Sequence, residues 1–211
     1  MITVELIDHM GDDDSVVNAA RVSMDKDAEL FTDEENAKLT NYLAKHKHTT
    51  PFNHAFLSFR VTAPVFVARQ LVKHKFLPWN EISRRYVKTS PQFFVPDAWR
   101  QVAPSVKQGS LETPIENNDD FTIDYKILMF EAYTLYEKAL SLGVCPEQAR
   151  MILPQSMMTS WVWSGSLGAF ADMCKLRLDP HAQYETRLVA QRVNEEAARI
   201  FPVAWQSYMQ A

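Results

Sequence analysis

The 211-residue sequence has few of the residues that build several common kinds of site. Its two cysteines, Cys145 and Cys174, are too few for a disulfide framework and lack the spacing of a zinc site. Only five glycines occur, and no glycine-rich phosphate loop is present, so a nucleotide would need another cradle. No apolar run reaches the length of a membrane span, and Met1–Met10 has no basic leader region. We therefore expect a soluble, cytoplasmic protein without a bound metal.

Positive charge is also scarce, since 22 Lys and Arg residues face 26 Asp and Glu residues, for a formal net charge of -4. This balance disfavours a general polyanion-binding protein, which usually needs a positive field. The exception is the segment Arg69–Lys88, where six basic residues accompany a single acid, Glu81. Guanidinium groups bind phosphate oxygens bidentately, so the segment predicts an anion site. The alternative is a solvated basic face.

Apolar periodicity predicts a single α+β domain over residues 1–211, with more helix than strand. Period-two alternation marks strands, and capping residues followed by helical spacing mark helices. The Gln108–Asp120 segment is polar, and we expect an exposed, mobile insertion there. The expected elements are, in order, a strand at Ile2–Leu6, a helix from Asp12, a helix from the Thr32–Glu35 capping box to about Lys47, a half-buried strand from Phe56, a helix from Val65 to Lys75, a loop with short strands at Phe76–Arg100, a helix from Ile123 to near Gly143, a helix from about Pro146, and a terminal helix from Asp179-Pro180.

Several other residues carry two interpretations each. Arg177 precedes the helix expected at Pro180, where free backbone N–H groups favour an anion, but it could instead pair with a nearby acid, Asp172, Asp179 or Glu185. Cys145 could be a nucleophile, although no nearby histidine would make it a thiolate. The spacing of His46, His48 and His54 is not that of a zinc site, and Trp161 with Trp163 fits a core better than a cofactor platform.

The segment Lys73-His74-Lys75, followed seven residues later by Ser83, resembles the signature of flavin-dependent thymidylate synthases, in which arginines flank the histidine. Asn80–Tyr86 is similar to the NExSxRY run of that family. Further similarity extends over nearly the whole chain, except at Gln108–Asp120. The resemblance implies an α+β fold, a helical bundle packed with a curved, antiparallel-rich sheet, in a homotetramer whose subunits share active sites.

The resemblance also implies site residues, position by position. Those similar to the dUMP-contacting set are Gln70, Lys73, Glu81, Ser83, Arg84, Arg85, Arg150 and Arg177, with Arg85 and Arg150 at the phosphate. Those at positions that contact FAD, or folate stacked on it, are Ser23, His48, Thr50, Lys73, His74, Lys75, Glu81, Ser166 and Asp172. Lys73 and Lys75 replace arginines of the signature, and Ser166 and Asp172 stand where the family commonly has asparagines.

The implied activity is methylation of dUMP, with methylenetetrahydrofolate as the carbon donor and NADPH-reduced FAD as the hydride source. Arg177 would be the catalytic residue, since it would stabilise negative charge on the uracil ring. Two alternatives stay open: an enzyme of the same fold that hydroxymethylates a pyrimidine nucleotide, and a non-catalytic nucleotide- or RNA-binding protein. The expected partners are dUMP, folate and NADPH, without nucleic acid or membrane.

Overall fold

The structure is a computed structural model that describes residues 1–87, 89–104 and 109–211. Helix exceeds strand, and the fold class is α+β, as predicted. The elements are β1 (Thr3–Met10), α1 (Asp13–Arg21), α2 (Asp33–Lys45), β2 (Phe56–Pro64), α3 (Val65–Leu71), β3 (Trp79–Glu81), β4 (Arg100–Val102), β5 (Ser110–Pro114), α4 (Asn118–Ser141), α5 (Pro146–Ala149), β6 (Met158–Ser166), α6 (Leu167–Arg177), α7 (Tyr184–Ile200) and α8 (Pro202–Gln210).

An antiparallel sheet with the strand order β1-β2-β6-β3 forms the centre of the fold. Strands β2 and β6 pair along their full lengths, from Phe56 opposite Ser166 to Pro64 opposite Met158. The predicted alternation of β2 is confirmed, because Leu57, Phe59 and Val61 are buried while the residues between them are not. Helices α6, α7 and α8 pack beside this sheet, and their apolar residues complete the core.

Both predicted helix starts in the first part of the chain are confirmed. The side chain of Asp12 accepts from the backbone N–H of Ser15 at 2.9 Å, which caps α1. Thr32 and Glu35 form the predicted capping box of α2, with Glu35 accepting from the Thr32 N–H at 2.9 Å. Helix α2 ends at Lys45, close to the predicted end.

The predicted extension of α3 to Lys75 is wrong, because the helix ends at Leu71. The chain must reverse so that β3 can pair with β6, where Trp79 lies opposite Trp163. Phe76 takes a positive φ of 62° in this reversal. Lys73, His74 and Lys75 therefore lie in a turn and do not extend the helical face of Gln70.

The predicted start of the terminal helix at Asp179-Pro180 is also wrong, since α7 begins at Tyr184. Asp179 closes a turn instead: its Oδ1 accepts from the backbone N–H of His181 at 2.7 Å. Because the Asp179 side chain caps this turn and not a helix, α7 begins five residues later, at Tyr184. The predicted buried side of α7 is confirmed for Val189, Val193 and Ala197.

The segment predicted as a mobile insertion contains regular structure. Ser110–Pro114 forms β5, which pairs with β4, and Asn118 already begins α4. All residues of β5 are exposed, so its polar sequence carries no alternation that periodicity could detect. Gln108, the first residue of the predicted insertion, lies outside the described residues.

Helix α4 presents a broad apolar surface that the described part of the chain leaves exposed. Ile123, Ile127, Leu128, Phe130 and Leu135 are each between 53% and 68% exposed. The buried side of α4 consists of Met129, Tyr136 and Ala139. Within the described part of the chain, no helix combines the length and the apolar character needed to cross a membrane.

Candidate functional site

The Arg150 cleft is a cavity of about 420 Å³ between the end of β3 and the residues that precede β6. Its polar wall consists of Glu81, Ser83, Arg84 and Arg150, all of which the sequence predicted as substrate contacts. The opposite wall is apolar, with Val65, Leu153, Pro154, Met157 and Met158. A cleft of this composition can hold an anionic group at the guanidinium ends while apolar atoms cover the rest of a ligand.

Glu81 is held in a fixed orientation at the rim of this cleft. Its Oε1 accepts from the Thr159 hydroxyl at 2.8 Å, and its Oε2 accepts from Trp79 Nε1 at 3.0 Å. Trp79 is itself stacked on the buried Trp161, with ring centroids 4.2 Å apart. The carboxylate is therefore tied through Trp79 to the core of the sheet.

Arg150, which lines the cleft, and Arg85, which lies beside Ser83 but does not line it, are held more loosely. Arg85 Nη1 lies 3.8 Å from Glu147 Oε1, and the two side chains are 43% and 66% exposed. Arg150 donates from Nε to the Glu147 carbonyl at 3.4 Å. Ser83 Oγ accepts from the backbone N–H and the Nε of Arg85, both at 3.3 Å. Arg85 and Arg150 are thus gathered around Glu147 by long, exposed contacts that a stronger anion could replace.

The Arg177 cleft is a second cavity, of about 450 Å³, between the end of α6 and the start of α7. It is lined by Gln70, Arg100, Gly109, Ser110, Arg177, His181, Ala182, Gln183 and Tyr184. Arg177 donates from Nε to His74 Nε2 at 3.0 Å and from Nη2 to the Gln70 carbonyl at 3.5 Å. Both acceptors are neutral, and the ion pairs found among the described residues include none with Arg177.

Burial shapes the electrostatics of this pair. The pKa of His74 is lowered from 6.5 to about 4, first by burial and then by the adjacent charge of Arg177. Burial also lowers the pKa of Arg177 below its ordinary value. His74 is therefore neutral at pH 7, and its Nε2 carries the lone pair that holds the guanidinium.

Arg177 lies at the last position of α6 and not before a helix start. The predicted anion site at the N-terminus of a helix beginning at Pro180 is therefore wrong. The alternative pairing is absent from the described contacts as well, because Glu185 pairs with Arg100 and Asp179 with His181. What the structure supplies is a half-buried cation without an acidic partner among the described residues.

The His48 cleft is a third, smaller cavity of about 240 Å³, lined by residues of α2, α6 and α8. His48 and Asp172, two predicted cofactor contacts, both line it, together with Lys47 and Lys175. Tyr208 closes one side, and burial together with the negative charge of Asp172 raises its pKa to about 12. The two lysines supply the cleft with positive charge that offsets the carboxylate of Asp172.

The remaining predicted residues lie outside these three clefts. Ser166 is buried at the start of α6, where its hydroxyl donates to Asn53 Oδ1 at 2.7 Å and accepts from the Ala169 N–H. Ser23 donates to the Ala20 carbonyl at 2.9 Å in an exposed one-turn helix. The exposed residues Lys73, Lys75, Thr50 and Arg85 and the half-buried His74 complete the set. Their predicted contacts with substrate or cofactor stay predictions.

The basic segment Arg69–Lys88 does not form one anion site. Arg84 lines the Arg150 cleft, whereas Arg69, Lys73 and Lys75 are exposed and line none of the three clefts. Lys88 lies outside the described residues. Charge density along the sequence therefore identified part of a site and overstated its extent.

Neither cysteine is placed to act in the clefts. Cys174 is buried in α6, where its Sγ donates to the Ala190 carbonyl at 3.6 Å and burial raises its pKa. Cys145 is exposed and precedes α5, but it lines none of the three clefts. Trp161 and Trp163 belong to the core, as predicted.

Sequence reasoning missed four residues beside Gln70. Arg100 and Gln183 line the Arg177 cleft, and Glu185 and Thr186 bond to the side chains in it. The sequence named Glu185 solely as a possible acid partner of Arg177 and gave no role to the other three. The spacing of Arg100 and Glu185, 85 residues apart, gives no indication that they pair.

Comparison with known proteins places this geometry in context. The sequence matches the thymidylate synthase complementing protein family over residues 5–203. It is 39% identical over 205 residues to a flavin-dependent thymidylate synthase of Thermus thermophilus, which covers 97% of this chain and 74% of the relative. A flavin-dependent thymidylate synthase of Kosmotoga olearia is 36% identical over 210 residues, which covers 98% of this chain and 89% of the relative.

A solved structure has the same fold. The UMP/dUMP methylase PolB of Streptomyces cacaoi, bound with 5-Br dUMP, superposes with a TM-score of 0.91 at 30% identity. The superposition covers 100% of this chain and 95% of the methylase chain. The same enzyme bound with 5-Br UMP gives a TM-score of 0.88 at 29% identity.

Proposed function

This chain belongs to the thymidylate synthase complementing protein family, and from that membership we propose that it is a flavin-dependent thymidylate synthase that converts dUMP to dTMP. One observation carries the proposal at the level of residues. The chain offers two separate sets of guanidinium groups, one exposed beside Ser83 and one half-buried beside Gln70. A nucleotide monophosphate needs both kinds of contact, because its phosphate is a strong anion and its ring is a weak one.

We propose that the phosphate of dUMP binds in the Arg150 cleft. Arg85 and Arg150 supply charge-assisted hydrogen bonds, and the Ser83 hydroxyl adds a neutral donor. Arg84 and Glu81 complete the polar wall. An incoming phosphate would take over the guanidinium groups now gathered around Glu147.

The uracil ring would be bound by Gln70 and Arg177. Attaching a carbon to C5 requires electron density there, and Arg177 stabilises negative charge on the ring as that density develops. Since neither cysteine lines the clefts, the proposal needs no thiolate addition to the ring. His74 keeps Arg177 in place without neutralising its charge, because it is a neutral acceptor.

The residues around His48 fit FAD by the chemistry of their donors. Lys47, Lys175 and His48 line one cleft and can neutralise a diphosphate. A reduced flavin held by these residues would supply the hydride that completes the methyl group. The other residues proposed to contact it are Ser23, Thr50, Lys73, His74, Lys75, Glu81, Ser166 and Asp172. Lys73 and Lys75 keep the charge of the family's arginines but lose the planar fork.

Methylenetetrahydrofolate and NADPH are the proposed co-substrates, as carbon donor and reductant. The decisive experiment incubates the purified protein with dUMP, methylenetetrahydrofolate, FAD and NADPH and identifies the product by mass. We expect dTMP. A hydroxymethylated nucleotide would favour a hydroxymethylase, and the absence of any modified nucleotide together with binding of dUMP would favour a non-catalytic binding protein. A parallel incubation with UMP tests whether a 2′-hydroxyl is accepted, since the structural relative is a UMP/dUMP methylase.

We propose that the protein assembles as a homotetramer with sites shared between subunits. Two observations support this assembly. The predicted contact residues that line a cleft are divided among three clefts of one chain, and α4 exposes an apolar surface that a second copy could cover. Phe130→Glu, at the most exposed apolar position of that surface, should lower the mass measured by light scattering. Lys126→Glu on the same helix is the control for added charge, and an unchanged mass for Phe130→Glu would argue against this interface.

A further inference from the structure

A chain of side-chain hydrogen bonds runs from the start of α7 into the Arg177 cleft. Glu185 accepts from Arg100 Nη2 at 2.7 Å through Oε1 and from Gln183 Nε2 at 3.1 Å through Oε2. The carbonyl Oε1 of Gln183 accepts from Gln70 Nε2. The carbonyl Oε1 of Gln70 accepts from the Thr186 hydroxyl at 3.3 Å. Gln183 thereby connects Glu185 to Gln70.

The direction of this chain follows from its carboxylate end. A carboxylate only accepts, so Gln183 must turn its NH₂ group to Glu185 and its carbonyl to Gln70. Gln70 must then turn its NH₂ group to Gln183, which leaves its carbonyl facing the hydroxyl of Thr186. Reversing either amide alone would set two acceptors or two donors against each other and lose the hydrogen bonds between them.

Glu185 has little freedom to change this arrangement. It is 5% exposed, and the side chain of its partner Arg100 is 20% exposed. Arg100 is fixed in turn, because its Nε donates to Ser110 Oγ at 2.8 Å and its guanidinium lies 4.5 Å over the ring of Tyr184. A buried ion pair with both partners held in this way keeps one geometry.

We propose that Glu185 is a positioning residue for substrate selection, which orients the amide of Gln70 through Gln183 and so makes the Arg177 cleft prefer uracil over cytosine. The inference rests on the proposed function, since it requires the pyrimidine ring to lie against Gln70. Uracil offers N3–H and a C4 carbonyl, whereas cytosine offers a bare N3 and a C4 amino group. An amide held in one orientation matches one of these edges, and an amide free to reverse matches both.

The test compares equilibrium binding of dUMP and dCMP to the FAD-loaded protein and to its Glu185→Gln variant. The new amide has the same size but can donate as well as accept, so Gln183 and Gln70 can reverse together. We expect the ratio of the dCMP and dUMP dissociation constants to fall by at least about tenfold, with dCMP bound more tightly than by the wild type. If Glu185 had a purely structural role, its substitution would weaken the binding of both nucleotides and leave the ratio of their dissociation constants unchanged.

Two further variants isolate the orientation of Gln70. Glu185→Asp keeps an acceptor-only group and should keep the wild-type ratio. Gln183→Met removes the amide that links Glu185 to Gln70 at similar volume, so the ratio of the dissociation constants should fall as it does in Glu185→Gln. Thermal unfolding and retained flavin absorbance check that each variant is folded.

The outcomes separate the inference from the function on which it rests. An unchanged ratio in folded Glu185→Gln overturns the role of Glu185, as does a wild type that binds both nucleotides equally. If Glu185→Gln does not fold, the ratio measured for Gln183→Met decides in its place. A wild type that binds neither dUMP nor dCMP overturns the proposed function itself.

Discussion

The Arg177 cleft and the Arg150 cleft both present guanidinium groups, but they hold them in opposite ways. Arg177 is half-buried and bonds to two neutral acceptors, His74 and the Gln70 carbonyl. Arg150 is exposed and, among the described residues, its side chain bonds to the carbonyl of Glu147 alone. One cation is preorganised before any ligand arrives, while the other is free to adjust to its ligand.

This difference matches what each proposed ligand group requires. Negative charge that develops on a ring during a reaction is stabilised best by a dipole or cation that does not need to reorganise. A phosphate carries its full charge before and after the reaction, so adjustable side chains bind it equally well in both states. The clefts should therefore differ in which kinetic constant a substitution changes.

Arg177→Ala should have the largest effect and act on turnover. Removing a preorganised group that stabilises developing charge costs about 10²–10³-fold in kcat. FAD should stay bound, because Arg177 belongs to the proposed ring site. The measurement is single-turnover dTMP formation, with flavin absorbance recorded on the same sample.

Arg199→Ala is the matched control for Arg177→Ala. Arg199 is a surface arginine on α7 that pairs with Glu196 at 2.7 Å, away from the three clefts. Its loss should change kcat less than twofold by the usual weakness of exposed ion pairs, roughly 0–1 kcal/mol. Turnover of Arg177→Ala at the level of this control would remove the catalytic role of Arg177.

Much of the fold could be predicted from local patterns, and the errors have a common physical cause. The capping box at Thr32 and the alternation in β2 were predictable because each is a local arrangement of side chains. Helix α3 was predicted too long because its end is imposed from a distance, by the pairing of β3 with β6. The hairpin β4–β5 was missed because its exposed strands carry no apolar period.

Local sequence patterns predicted the candidate site less well than they predicted the fold. Charge density predicted one anion site over Arg69–Lys88, but of the described basic residues in that segment Arg84 alone lines the Arg150 cleft. Arg177, which the sequence predicted separately as an anion site, lines the other cleft. Those two arginines and Gln70 were named together through family resemblance, because the spacing of side chains across distant elements is not encoded in any local period. Glu185 could not be assigned for the same reason, since its partner Arg100 lies 85 positions away.

Arg150→Ala should act on binding and leave turnover nearly unchanged. Loss of a charge-assisted hydrogen bond to phosphate costs about 2 kcal/mol, so KM for dUMP should rise by roughly 10–50-fold. Steady-state kinetics at saturating dUMP check that kcat stays within about threefold, by the uniform-binding criterion. Deoxyuridine, which lacks the phosphate, is the control ligand. A penalty for deoxyuridine as large as that for dUMP would show that Arg150 does not act on the phosphate.

Gly165→Ala should displace the turn that carries His74 and, through it, the side chain of Arg177. A Cβ at this position of β6 would lie 2.9 Å from the Phe76 carbonyl and 2.4 Å from Leu77 Cδ2, in the segment that carries His74. Overpacking of this kind costs about 1–3 kcal/mol and shifts the backbone. We expect a lower unfolding free energy in urea and a lower kcat, with KM for dUMP changed less. A KM effect larger than the kcat effect would mean that the turn does not position Arg177.

The smallest predicted effect is a pH dependence of stability that arises at His74. Because burial and Arg177 lower its pKa from 6.5 to about 4, the unfolded chain binds more protons than the folded chain between these values. The unfolding free energy should therefore fall as the pH is lowered from about 6.5 towards 4, and be unaffected by this group above about pH 7. Since His74 is only half-buried, solvent screening limits the effect to about 1 kcal/mol.

His74→Asn keeps a neutral acceptor for Arg177 but does not titrate, so urea unfolding of this variant should lack that part of the pH dependence. Arg150→Ala should follow the wild-type pH curve, since no histidine lines the Arg150 cleft. If the difference between wild type and His74→Asn were constant from pH 4.5 to 7.5, the histidine would not be the preorganising acceptor that distinguishes the two clefts.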